Sequence, residues 1–279
     1  MKINEYPESS GFALSDVFIM DGATGTKKVS VEKLPYFLFD NVPEMHNRVF
    51  RGKNLGNVYT TAQKDEVASG RFKDLWLGDY WEIGGRKWRI VDFNYYINTG
   101  DVRVTTNHVT VMPDSVLAQA VWNSPRTIAG GYANSQIRTN MAAARNIVNS
   151  AFGVASILSH REILSTAVDN TTGRVTGINW YDATIELPDE IMLFGSSRSG
   201  NLPSTGSTQD LRVYHQNHRQ LALFGMTTKY LLLGADAYWV RDTSISGNVG
   251  LISHGAASYS RPAATESSEG VRPVFNLKG

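Results

Sequence analysis

The residues best able to do chemistry are the histidines: His46, His108, His160, His215, His218 and His254. Only His215 and His218 lie close together, as His-x-x-His, the interval at which two side chains on one helical turn share a face and could share a metal ion. Gln216 and Asn217 between them favour a loop, and no Asp-rich segment adjoins them. No metal site is expected. The chain has no cysteine, which removes disulfides, thiolate metal sites and a cysteine nucleophile together. No Gly-x-Ser-x-Gly elbow and no phosphate-cradling Gly-x4-Gly-Lys loop occurs. Asp21-Gly22 starts no calcium loop, because no Glu stands where such a loop would close. Neighbouring carboxylates such as Asp189 and Glu190 point to different sides of any regular element, so no acid–base pair is suggested. The reading is of a chain with no catalytic residue and no cofactor.

Charge and composition narrow the partners. Of 279 residues, 42% are hydrophobic and 19% charged, enough for one large domain or two small ones. A net charge of +1 predicts neither a nucleic-acid partner nor attraction to an anionic membrane. The opening residues Met1 to Pro7 have no apolar core of the kind a signal peptide needs. No apolar run approaches the ~18 residues of a membrane span.

The positioning elements follow from periodicity and punctuation. Val17 to Met20 and Lys27 to Val31 read as two short strands about a turn at Asp21 to Gly25. A short helix around Leu34 to Phe39 tolerates Pro35 in its first turn. The Asn-rich stretch from Asp40 to Thr60 reads as a linker. Thr60-Thr-Ala-Gln63 has capping-box spacing, and Gly70 would close the helix it opens. A hairpin over Trp81 to Phe93 turns at Gly84-Gly85. Val102 to Met112 reads as a strand. From Asn134 to Phe152 the residues Ile137, Met141, Ala144, Ile147, Val148 and Ala151 form one helical stripe, ended by Gly153. Ser159-His-Arg-Glu162 has the spacing of a second capping box and predicts a short helix. Asn170 to Gly173 is a turn, Trp180 to Leu187 a strand, and Pro188-Asp-Glu190 the start of a helical turn.

The last forty residues organise the rest. Asp236 to Arg241 and Gly270 to Leu277 read as strands mixing aromatic and β-branched residues, each with one arginine. Trp76, Trp81, Trp88, Trp180 and Trp239 sit beside apolar residues and are expected in the core. Arg241 and Arg272 lie within apolar strands, where a charge must find partners. They are expected to hold carbonyls or carboxylates, Asp79 or Asp242 among them. Trp81, Trp88, Trp239, Arg241 and Arg272 are thus the expected structural residues. Two Ser- and Gly-rich stretches, Gly195 to Gln209 and Thr243 to Glu269, read as long exposed loops, a length that points to function or disorder. Ser244, Ser246, Asn248, His254, Ser258 and Tyr259 are the expected ligand contacts, the adaptable residue types of binding loops.

The Tyr-Trp-Val-Arg strand ending at Arg241, the serine-rich loop and the closing Gly-Val-Arg-Pro-Val-Phe resemble the end of a C-type-lectin-like domain. Upstream, Leu77-Gly-Asp-Tyr-Trp81, Gly84-Gly85 and Lys87-Trp-Arg-Ile-Val91 resemble its opening hairpin. The nearest branch is shared by formylglycine-generating enzymes and phage tropism determinants. Leu14 to Gly22 together with Gly25 to Leu34 resembles the N-terminal attachment segment of phage fibres and appendages. The resemblance implies an α+β chain, with an attachment segment and linker over residues 1–60 and a C-type-lectin-like domain over 61–279. Its opening hairpin, Trp81 to Val91, is expected to pair antiparallel with the closing strand, Val271 to Leu277. It implies a structural bacteriophage protein, made in the host cytoplasm and carried on the virion, that either binds the host surface or decorates the particle. Other capsid or tail proteins would be its partners through residues 1–60. A homotrimer is the first expectation, and a host-surface glycan or protein the ligand of the displayed loops. The alternative is a non-cysteine enzyme on the same fold. Formylglycine-generating enzymes work through cysteines that this chain lacks. A related branch uses a histidine-based iron site, for which His215 and His218 are the available pair and no third ligand is implied.

Overall fold

A computed structural model of the chain describes residues 17–22, 25–196, 219–230, 237–244, 247–253, 256–262 and 268–279. Two strands come first, β1 (Val17–Gly22) and β2 (Gly25–Ser30), followed by helix α1 (Leu34–Phe39). Helix α2 (Thr61–Ser69) opens on the expected capping box. The Thr60 hydroxyl accepts from the Gln63 N–H at 3.2 Å, and the Gln63 side chain accepts from the Thr60 N–H at 3.0 Å. Gly70 closes it at φ 71°. Strands β3 (Tyr80–Ile83) and β4 (Arg86–Phe93) form the expected hairpin. Gly84 and Gly85 turn it with φ of 61° and 70°, the left-handed pair that a two-residue turn of this twist requires.

Next along the chain are β5 (His108–Pro113), β6 (Ala118–Ala120), α3 (Gln136–Asn140) and α4 (Ala142–Phe152). Strands β7 (His160–Val168), β8 (Val175–Ala183) and β9 (Ile185–Glu186) lead to α5 (Glu190–Phe194) and α6 (Ala222–Met226). The chain ends through β10 (Tyr238–Ser244), β11 (Asn248–Ser253), β12 (Ala256–Pro262), β13 (Glu269–Val271) and β14 (Val274–Lys278). Among the described residues one sheet runs β3-β4-β5-β14-β9 and a second β12-β11-β10-β13-β6, while β1-β2 and β7-β8 are separate ladders. Helices and largely antiparallel sheets alternate, an α+β architecture. Among the strands of the described residues, β10 and β13 pair in parallel, and isolated parallel bridges join Phe50 to Leu77 and Asn54 to Tyr80. The close approach of β10 and β13 requires Gly270, since a Cβ there would stand 2.6 Å from the Ala237 carbonyl and 2.3 Å from Val116.

The main sheet is buried on both faces, and the two-residue period sorts its side chains. Trp88, Ile90, Val109, Val111, Phe275 and Leu277 join one core with the α4 stripe of Ala144, Val148 and Phe152. Val91, Met112 and Val274 join the other, with Leu193, Leu223 and Phe224 of the short helices. Trp239 goes to the first core, and its neighbours Tyr238 and Val240 to the second. The Trp88 indole N–H reaches the Ile83 carbonyl at 3.0 Å, and that of Trp239 the Ala120 carbonyl at 2.7 Å. Both large rings are therefore buried without a wasted donor.

The structure corrects several expectations. β4 and β14 share a sheet, but β5 lies between them and pairs with each. The strand foreseen from Val102 begins only at His108. Ser159 to Glu162 does not open a helix but leads into β7, because a full partner strand, β8, satisfies its backbone. Trp180, on that two-stranded ladder, is only half-buried. The stretch Asp40 to Thr60 is no free linker. His46 is fully buried and stacked on Trp76 at 4.3 Å, and Arg51 and the Lys53 amide clamp the buried Asp79 carboxylate. Asp79 therefore serves Arg51 and neither Arg241 nor Arg272.

Two substitutions separate local from core contributions. Thr60→Ala should cost about 1 kcal/mol through the lost cap, and Trp88→Ala about 3–5 kcal/mol through the cavity it leaves. Urea denaturation of both should return that order with an unchanged m-value.

Candidate functional site

The stretch expected to be a long loop after Thr243 is largely a β-meander. β11 pairs antiparallel with β10 and with β12, and β12 forms the sheet edge among the described residues. The sparse apolar residues make it so: Val249 and Leu251 enter one core and Ile252 the other. Ser244 stands opposite Asn248, and Asn248 opposite Pro262. These residues therefore meet at one end of the meander. The Asn248 side-chain oxygen accepts from Arg126 at 2.8 Å, so it is engaged within the fold. Ser258 and Tyr259 lie on β12, with Ser258 opposite Leu251. Ser246 and His254 lie outside the described residues, as do His215, His218 and nearly all of the Gly195 to Gln209 stretch.

The meander hangs from a buried ionic centre. Arg241, on β10, is 9% exposed, and its Nη2 lies 2.8 Å from Glu162 of β7 and 2.6 Å from Asp189. Asp189 also caps α5 by accepting from the Met192 N–H at 2.7 Å. The Tyr96 hydroxyl donates to Glu162 at 2.9 Å. Burial would raise the Glu162 carboxyl, but Arg241 first and the Tyr96 hydroxyl with it outweigh it and hold the group below its ordinary range. Arg241 itself is lifted well above its usual value: the two carboxylates overcome the burial that opposes its charge.

Around this centre stand two buried imidazoles. His108 is pushed down to about 4, chiefly by burial. Its Nδ1 donates to the Thr106 carbonyl at 2.9 Å, and its Nε2 accepts from the Tyr96 N–H at 3.0 Å. The neutral ring is thus fixed in one tautomer. His160 lies 3.9 Å from the Tyr96 ring, with its Nε2 3.8 Å from Glu162, beyond hydrogen-bond reach. Asp242 turns the other way and accepts from the Glu190 N–H at 2.8 Å. Burial, then the neighbouring Asp189 and Glu190, raise Asp242 well above its ordinary value.

Arg272 is also an anchor. Its Nε donates to the Pro113 carbonyl at 2.7 Å and its Nη2 to that of Tyr230 at 2.8 Å, with the guanidinium 5.1 Å above the Tyr238 ring. Trp81 and Trp88 are fully buried, as is Trp239. The foreseen structural residues are thus anchors, but Arg241 has Glu162 and Asp189 as partners where Asp79 or Asp242 was expected. Glu162, Asp189, Tyr96 and His160 went unseen. No local signal marked them, since His160, Arg161 and Glu162 are three successive polar residues whose alternate burial arises only from the pairing of β7 with β8.

Chemically the centre is an ion-pair anchor beside a neutral imidazole. No group of three or more His, Asp or Glu side chains among the described residues is placed to hold a metal ion. No helix among them is long and apolar enough to cross a membrane. No protein-family model, no curated protein and no solved structure matches the chain.

Two variants with opposite signs test this electrostatic account. Arg241→Met leaves Glu162 and Asp189 without their cation and should cost about 3–5 kcal/mol in chemical denaturation. Asp242→Asn keeps the acceptor for Glu190 and removes a repelled charge. A carboxyl raised on folding favours the fold while protonated and disfavours it as pH climbs past its unfolded value of ~3.9. The variant should therefore melt higher than the parent at neutral pH, and the gap should close as pH falls toward 4 in a calorimetric series.

Proposed function

We propose that the chain is a structural bacteriophage virion protein that displays a C-type-lectin-like domain, with host-surface binding as its role. The observation that carries this reading is the meander β10–β12, which ends among the described residues on the edge strand β12 and whose root is locked by Trp239, Arg241 and Arg272. Recognition surfaces are commonly built in this way, from variable segments on a rigid scaffold. The return of β14 into the sheet that holds β3 and β4 supports the lectin-like assignment, as do the motifs at Leu77 to Trp81 and Gly270 to Phe275. The β1–β2 ladder supports the attachment role. It pairs with no other strand among the described residues, and an isolated hairpin is marginal alone. In this proposal a neighbouring subunit of a homotrimer, together with capsid or tail proteins, orders the N-terminal segment.

The structure sets where to cut. Tyr36 packs edge-on against Trp76 at 5.4 Å, and Arg51 holds Asp79, so truncation should end before Leu34. Deleting residues 1–33 should leave a soluble chain with nearly the parent melting temperature that is absent from purified particles. Normal incorporation of the truncated chain would count against the attachment role.

A further inference from the structure

We infer that the cleft between the 102–106 turn and the start of β7 is a binding site for a neutral hexose-type sugar, the terminal unit of a glycan. This deepens the host-binding role proposed above and rests on it for biological meaning, though not for its chemistry. The cleft encloses about 290 Å³ and is lined by Val102, Arg103, Thr105, Thr106, His160 and Asp182, among others. That volume is at the lower end of the ~300–1,000 Å³ of small-molecule sites, and suits one sugar ring rather than a long chain.

Its floor is the unusual part. The His160 side chain is 3% exposed, yet neither ring nitrogen makes a close hydrogen bond, and the Leu158 backbone acts on the ring only weakly. A buried polar group left in that state calls for an explanation. Burial is the largest influence on its proton and keeps the ring neutral, against the pull of Glu162. A neutral imidazole offers one donor and one acceptor. A hydroxyl, which both donates and accepts, satisfies such a ring; a carboxylate or phosphate only accepts.

The walls agree with that choice. Arg103 donates through Nε and Nη2 to the neutral side-chain oxygen of Asn98, at 2.9 and 2.7 Å, and has no carboxylate partner among the described residues. Across the cleft Asp182 is 80% exposed and touches Arg161 at 3.3 Å. The lining holds the Arg103 guanidinium, the Thr105 and Thr106 hydroxyls and the Asp182 carboxylate, a mix of donors and acceptors of the kind that sugar hydroxyls meet. Val102, 68% exposed, offers an apolar patch to the C–H face of a ring.

The test titrates glucose, galactose, mannose and N-acetylglucosamine separately into the full-length chain. It follows the His160 ring nitrogens and the Thr105 and Thr106 amides by NMR. At least one sugar should shift these signals saturably. Arg103→Met, an exposed change that spares the fold, should weaken that sugar by about tenfold. His160→Phe, which retains an aromatic ring beside Tyr96, should abolish the shifts with an unchanged melting temperature. If no sugar gives a saturable shift, or if both variants bind like the parent, the site assignment is wrong. Adsorption of particles to host cells is measured with the same Arg103→Met chain. Should sugar binding fall while adsorption holds, the cleft is a sugar site without a part in attachment, and the inference that it serves the host-binding role is overturned.

Discussion

A charge placed in a sheet interior must be answered, and Arg241 is where this chain meets that requirement most sharply. Its guanidinium joins β10 to β7 through Glu162 and to the cap of α5 through Asp189. The two carboxylates come from segments with no local relation to it; Asp189 alone is 52 residues away. Desolvation makes such a pair a poor source of net stability, but an incomplete one is expensive. The constraint is therefore one of geometry. If β7, β10 and α5 are not placed together, a charge is buried alone. The same device recurs: Arg51 holds Asp79, Arg219 holds Asp92, and Arg138 holds Glu186. In a chain without cysteine, these clamps cross-link distant segments as disulfides would elsewhere.

The anchor fixes the root of the β10–β12 meander. β10 contributes Trp239 to one core, Tyr238 and Val240 to the other, and Arg241 to the ionic centre. β11 is tied by Val249, Leu251 and Ile252. β12 lies outermost. The proposed display role asks for this gradient, from a rigid root to an edge whose residues can vary. The cleft at His160 borders the same centre, with the imidazole packed 3.9 Å from the Tyr96 ring.

What was legible in the sequence was local. The capping box at Thr60 and Gln63, the Gly84-Gly85 turn and the α4 stripe depend on residues within a few positions of each other, and each formed as its pattern implied. The burial of Trp239, Arg241 and Arg272 was legible too, because charged and aromatic residues in apolar strands have few other destinations. Their partners were not, since nothing near Arg241 encodes Glu162 or Asp189. Ser159 to Glu162 misled because capping-box spacing is a short pattern, and pairing with β8 overrode it. The Thr243 to Glu269 stretch misled because three apolar residues suffice to tie β11 down: Val249 and Leu251 enter one core and Ile252 the other.

The account's central claim is an orientation: residues 243–269 face outward from a particle and residues 1–33 face inward. Electron microscopy of virions with antibody fragments raised against each segment tests it directly. The account predicts dense labelling by the fragment against 243–269 and labelling by the other only after particles are disrupted. Intact particles that bind the fragment against 1–33 and exclude the one against 243–269, or that carry no copy of the chain, would contradict it.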